Sequence, residues 1–104
     1  MTVVWSRRAI GDLRKLRAYI AKDRPDAAAH VARRIVLAVE TLAQFPSMGR
    51  PGRIAGTREL IVSDTPFIVP YTMTNGDVVV VAVLHAARRW PQEFKPRSGG
   101  VPWS

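Results

Sequence analysis

The chain has 104 residues, enough for one domain with a single core and too few for two. Hydrophobic residues make up 47% of it, which excludes a disordered chain, and the absence of cysteine excludes disulfides and thiolate metal or redox chemistry. Sixteen Lys and Arg stand against eight Asp and Glu, for a formal net charge of +8. That balance favours an acidic partner (nucleic acid, an anionic membrane or an acidic protein) without choosing among them, and a solvated basic surface is the plainer alternative. The opening MTVVWSRRAI lacks the apolar core and cleavage site of a signal peptide. The longest apolar run, Val78 to Leu84, is too short to span a bilayer. The chain is therefore read as soluble and cytoplasmic, with no membrane partner.

Thr2 to Trp5 is a short β-branched and aromatic run, predicted as a first strand. Ser6 follows as an N-cap, its hydroxyl placed to accept from an unpaired amide of the first helical turn. Ala9, Ile10, Leu13, Leu16 and Ile20 then recur at three- and four-residue spacing, which predicts one apolar face of a helix ending near Lys22. Pro25 suits the first position of a second helix, where a missing N–H costs nothing. Its stripe is Ala28, Val31, Ala32, Ile35, Val39 and Leu42, running to about Gln44. So short a connection predicts an antiparallel helical hairpin. Phe45-Pro46 stops the second helix, and residues 48–56, with Gly49, Pro51, Gly52 and Gly56, read as a loop.

Three strands follow, at about Thr57–Val62, Pro66–Thr74 and Val78–Leu84. Asn75-Gly76 predicts a type I′ turn between the last two, because both positions need positive φ. The unbroken apolar run of the last strand predicts burial on both faces. Pro70 cannot donate to a ladder, so it predicts an edge or a bulge in the middle strand. The fold class is α+β, in the order β-α-α-β-β-β, with the helical hairpin on one face of an antiparallel sheet. Residues 1–91 form the domain and 92–104 a C-terminal tail.

This ordered set resembles the RelE/ParE family of bacterial toxins over about residues 3 to 91. Val4-Trp5-Ser6 leading into Ala9, Leu13 and Tyr19-Ile20 is similar to the family's first helix, and Pro25 with Ala27-Ala28 to the start of its second. Phe45-Pro46 with Gly49-Arg50 resembles the following loop. Thr57-Arg58-Glu59-Leu60 and Pro66-Phe67-Ile68-Val69 with Tyr71 resemble the second and third strands, and Val83-Leu84-His85 with Arg88-Arg89-Trp90 the end of the fourth.

The family has two branches. In one, ribosome-dependent mRNA cleavage needs groups that activate the ribose 2′-OH, protonate the leaving oxygen and neutralise the transition state. RelE-like members supply these from basic residues on the middle strands and from Arg, His or Tyr near the C-terminus. Here Glu59 and Ile61 stand where such toxins carry lysines, Ile68 where they carry arginine, and no tyrosine follows His85. These departures resemble the ParE-like branch, whose members inhibit DNA gyrase by protein–protein contact and stabilise its cleaved-DNA intermediate. The resemblance thus implies a non-enzymatic toxin of a type II, plasmid-stabilising toxin–antitoxin system. The alternatives are a ribosome-dependent endonuclease using His85, Arg89 and Arg58, and a degenerate toxin that only binds its antitoxin.

Among single residues, His85 is either an acid–base catalyst or a capping histidine that holds the following turn, and the second reading is favoured because no partner acid or base is near in sequence. His30 is read as solvated, and the two histidines make no metal site. Arg50, Arg53, Arg58, Arg88, Arg89 and Trp90 are the candidate surface for antitoxin or target, guanidinium groups suiting an acidic partner by bidentate pairing. The alternative has Arg58 paired locally with Glu59 or Asp64 and the other arginines solvated. Trp5, Trp90 and Tyr71 are read as packing residues. The resemblance implies a ParD-like antitoxin whose acidic C-terminal segment folds onto the toxin as an amphipathic helix in a higher-order complex. No cofactor and no sequence-specific DNA binding by the toxin alone are expected.

Overall fold

The computed structural model describes residues 1–87, and they form an α+β fold. In chain order they are strand β1 (Thr2–Trp5), helices α1 (Arg7–Ala21) and α2 (Pro25–Glu40), a 3₁₀ turn (Thr41–Ala43), and strands β2 (Arg50–Pro51), β3 (Arg58–Ile61), β4 (Phe67–Thr74), β5 (Asp77–Val80) and β6 (Leu84–His85). The sheet runs β1-β5-β4-β3-β2, with β6 also pairing β4. The boundary at Pro91 and the tail lie outside the described residues. Among the described residues, no helix is long and apolar enough to cross a membrane.

The apolar stripes predicted from sequence face the sheet. Ala9, Ala28, Ile35, Val39 and Leu42 are fully buried, and Leu13, Leu16, Ile20 and Val31 pack against the same core. Ile10 departs from its stripe and is exposed, because it lies on the flank of α1 turned from the sheet. The core's other half comes from alternate residues of the strands, Leu60, Val69, Tyr71, Val78 and Val80 among them. Ser6 caps α1 as expected, its Oγ accepting from the Ala9 amide at 3.0 Å.

Two expectations about the sheet need correcting. It is mixed, since β1 lies parallel to β5, from Thr2 opposite Asp77 to Trp5 opposite Val80. One residue, Ser6, separates β1 from α1, and the Ser6 amide donates to the Val80 carbonyl at 3.0 Å. The end of β1 is thereby held at the end of β5, which makes the two strands run the same way. The second correction is that the run from Val78 to Leu84 is two strands, β5 and β6. It is buried at Val78 and from Val80 to Val83, while Val79 is half-buried.

The break has a cause in Pro70. Asn75 and Gly76 form the expected turn, with φ of 53° and 81°, so Thr74 and Asp77 close a two-residue hairpin. Hydrogen-bonded pairs alternate along an antiparallel ladder. Counting from Thr74–Asp77, the Pro70–Val81 position should exchange two such bonds. Val81 N–H does donate to the Pro70 carbonyl, at 2.9 Å, but proline has no N–H to return. Pairing resumes only at Ile68–Leu84 and Phe67–His85. Three residues, Val81 to Val83, therefore oppose two, Val69 and Pro70, which is a one-residue β-bulge.

Helix α1 satisfies what the bulge leaves open. Ser6 Oγ donates to the Val81 carbonyl at 2.9 Å, and Val83 N–H donates to Asp12 Oδ2 at 3.0 Å. Arg8 Nε holds the Asp12 carboxylate one helical turn away, at 3.0 and 3.1 Å. Ser6→Ala removes both a helix cap and the donor to a buried carbonyl, so it should cost about 2 kcal/mol. Urea denaturation should show this as a lower midpoint with an unchanged m-value.

Candidate functional site

Strand β3 carries Arg58 and Glu59 on consecutive positions, so the two side chains leave opposite faces of the sheet. Glu59 is on the face away from the helices, yet only 2% exposed, because the neighbouring Arg50 of β2 and the backbone and side chain of Arg53 close around its carboxylate. Its Oε1 accepts from Arg50 Nε and Nη2 at 3.2 and 3.0 Å, and its Oε2 accepts from the Arg53 amide and Nε at 2.9 and 3.2 Å. Burial pushes this carboxyl up, but the Arg53 amide and the two guanidinium groups outweigh that and hold it below the ordinary 4.5. Arg50 and Arg53 are thus latched to Glu59.

Arg58 pairs with neither Glu59 nor Asp64, which corrects that local reading. Its Nη1 donates to the carbonyls of Gly49 and Ser47, at 2.7 and 3.3 Å, while Asp64 pairs with Arg34. Beneath them Tyr71 is fully buried, as expected of a packing residue. Its hydroxyl donates to the Pro46 carbonyl at 2.6 Å and accepts from the Gly49 amide at 2.9 Å. Burial raises the phenol above its usual value, against opposing effects of the Gly49 N–H and the Arg58 charge. Only glycine fits at position 49, where a Cβ would sit 2.7 Å from the Tyr71 ring and hydroxyl. A shallow recess of about 270 Å³ opens beside these groups, between Arg58, Thr57 and Pro51 on one side and Thr72 and Met73 on the other.

His85 lies on β6, its ring edge-on to Phe67 with centroids 5.6 Å apart. Its Nδ1 accepts from the Ala87 amide at 3.1 Å, the geometry of a residue that caps the turn beginning there. Arg58 pairs with Tyr71 on one side of β4, and His85 with Phe67 on the other. Four residues of strand separate those positions, about 13 Å. Arg58 and His85 therefore do not share a site. The remaining candidates, Arg88, Arg89 and Trp90, lie outside the described residues. His30 is exposed on α2. Among the described residues, no three His, Cys, Asp or Glu side chains cluster closely enough to hold a metal ion.

A larger surface feature is the outer seam of the helical hairpin, a groove of about 430 Å³. Its floor is apolar, from Leu13, Ala29, Ala32, Val36 and Leu37, and its rim is Arg14 and Arg17 of α1 with Arg33 of α2. None of these three arginines has a hydrogen-bond or ion-pair partner among the described residues. Sequence reasoning placed the candidate binding surface at Arg50, Arg53, Arg58, Arg88, Arg89 and Trp90, of which none of the described ones lines this groove, and it did not single out Arg14, Arg17 or Arg33. The signal was present in Leu37, an apolar residue off the core stripe of α2 and four positions after Arg33.

Comparison with known proteins gives consistent matches. Residues 3–90 match the family described as the ParE toxin of the type II toxin–antitoxin system parDE. A candidate toxin of Sinorhizobium fredii, Y4kP, is 51% identical over 88 residues, 85% of this chain and 91% of that one. Toxin RelE2 of Caulobacter vibrioides is 41% identical over 86 residues, 83% of this chain and 96% of that one. A chain of the solved chromosomal ParDE TA system from P. aeruginosa has the same fold, with a TM-score of 0.76 at 24% identity, covering 82% of this chain and 95% of that one.

The Glu59 latch has a measurable pH signature. A carboxyl that binds its proton less readily when folded contributes stability above its unfolded value of about 4.5, and loses it as pH falls through the lowered folded value. Stability should therefore decline below about pH 4.5. Glu59→Gln should flatten that decline and cost about 1–3 kcal/mol at neutral pH, the arginines being half exposed. Chemical denaturation across pH 3 to 7 checks both.

Proposed function

The chain belongs to the ParE toxin family of type II toxin–antitoxin systems, and from that footing we propose that it acts on DNA gyrase, without catalysis of its own, and is neutralised by direct binding of a cognate antitoxin in the cytoplasm. The reading rests most on one observation. Arg58 and His85, which a ribonuclease site would have to combine, stand on opposite sides of β4. Each is engaged locally, Arg58 with the Ser47 and Gly49 carbonyls and His85 with the Ala87 amide. The separation of Arg58 from His85 among the described residues supports a toxin that acts by what it binds. In this reading it holds gyrase in the state in which DNA is cleaved, so that strand breaks persist and replication stops.

The helical groove is the proposed seat of the antitoxin. An amphipathic segment laid there would bury apolar side chains on Leu13, Ala32, Val36 and Leu37, and its acidic flanks would meet Arg14, Arg17 and Arg33. Folding on binding lets a disordered segment cover so extended a seam.

Purified toxin, freed of antitoxin, is added to a gyrase supercoiling reaction with a cleavage-complex readout. Linear DNA should accumulate, antitoxin should prevent it, and His85→Ala should behave like the wild type. Unaffected gyrase at high toxin concentration overturns the target and makes ribosome-bound mRNA the next substrate to test. Separately, Leu37→Glu places a charge in the apolar groove and should weaken antitoxin binding at least tenfold, about 1.4 kcal/mol or more, with gyrase inhibition retained. Calorimetric titration of the antitoxin measures the first part.

A further inference from the structure

The exposed side of α1 carries a second charged feature, which adjoins the groove at Arg14. At about 100° per residue, Arg7 and Arg14 fall along one side of the helix face opposite the sheet, and Lys15 and Lys22 along the other. All four are exposed, and none has a hydrogen-bond or ion-pair partner for its side chain among the described residues. Between the two rows run Gly11 and Ala18. Glycine inside a helix weakens it relative to alanine, and nothing in the fold requires it here, since a Cβ at position 11 would meet no atom within 4 Å. The result is a shallow track between paired cations, about 22 Å long for a 15-residue helix.

The composition of this track decides its partner. Between the two rows no side chain is larger than a methyl group, the exposed Ile10 and Tyr19 lying outside them on opposite flanks, whereas a protein interface is built around a desolvated apolar centre. Binding to a nucleic-acid backbone needs no such centre, because released counterions drive it and each neutralised phosphate adds to it. The neighbouring groove, with its apolar floor, has the protein-binding character that the track lacks. We infer that the outer face of α1 is a sequence-independent phosphate-binding track for duplex DNA, in which a sugar–phosphate strand lies over Gly11 and Ala18 between Arg7 and Arg14 on one side and Lys15 and Lys22 on the other. The inference goes beyond the gyrase reading and does not depend on it. Arg14 also rims the groove, so an occupant of the groove and a DNA strand on the track meet at that residue and oppose one another.

The test is fluorescence anisotropy of a labelled duplex of arbitrary sequence, titrated with antitoxin-free toxin over a series of salt concentrations. Four phosphate contacts give a slope of log K against log salt of about −3 to −4. Lys15→Ala with Lys22→Ala should flatten the slope by about 2. Arg24→Ala with Arg33→Ala, which removes the same charge from elsewhere on the hairpin, should leave the slope unchanged. Gly11→Glu, which the open space at that position accommodates, should reduce affinity at least tenfold with the circular dichroism spectrum unaltered. Equal flattening by the two double variants would mean diffuse attraction to a basic protein and would overturn the track. Tighter binding to polyglutamate than to DNA would overturn it in favour of an acidic protein partner. Gyrase is absent from this assay, so failure here and failure of the gyrase reading are separate results.

Discussion

A missing hydrogen at Pro70 governs how the two layers of this protein meet. A proline in the middle of a central strand leaves its neighbour's carbonyl without a donor, and the sheet answers with a bulge between β5 and β6. The bulge exposes one acceptor, on Val81, and one donor, on Val83, in a place where water does not reach them well. Ser6 serves the first and Asp12 the second. Both residues belong to the first turns of α1, so the hydrogen-bonding need of the sheet fixes where that helix begins and how it is rotated. The position of α2, the groove between the helices and the outward face of α1 all follow from that docking.

The same molecule divides its arginines by whether an internal acceptor claims them. Arg8 holds Asp12, Arg34 holds the Ser63 carbonyl and Asp64 at the turn between β3 and β4, Arg50 and Arg53 hold Glu59, and Arg58 holds two loop carbonyls. These side chains brace irregular segments that have few apolar contacts of their own. Arg7, Arg14, Arg17, Arg24 and Arg33 have no such acceptor among the described residues. They all lie on the helical hairpin, so among the described residues the arginines without an internal acceptor are concentrated on the helical layer. A basic surface that is uneven in this way steers an acidic partner toward one side of the molecule.

Glu59 holds a loop that has only a small apolar cluster of its own. On the face of the sheet away from the helices, the segment that follows β2, residues 52–57, has little apolar area to bury. Ile54 packs on Val81 and Ala82, and beyond that the segment is held by the Glu59 latch. Desolvating the carboxylate is costly, and the two arginines together with the Arg53 amide offset that cost. The arrangement makes this loop sensitive to acid, while the helical side, with its larger apolar core, is less so.

Local signals in the amino-acid sequence determined the elements themselves. The apolar periodicity of α1 and α2, the Ser6 cap, Pro25 at a helix start and the Asn75-Gly76 turn each depend on residues within a turn or two of one another, and each is present in the structure; of the edge or bulge that Pro70 allowed, the structure has the bulge. Ile10 is the exception among the apolar positions, since a periodic stripe is wider than the contact a neighbouring layer makes. Tertiary structure alone decided the parallel direction of β1, the division of Val78–Leu84 into two strands, and which arginines remain free. The basic residues were legible in sequence, but their partners were not: Arg50 meets Glu59 nine positions away, and Asp12 meets Val83 seventy-one positions away. Strand alternation then sends Arg58 and Glu59 to opposite faces, which parts Arg58 from the other loop arginines. Spacing along the chain specifies which face a residue takes, whereas the groups it finds there depend on how distant segments pack against one another.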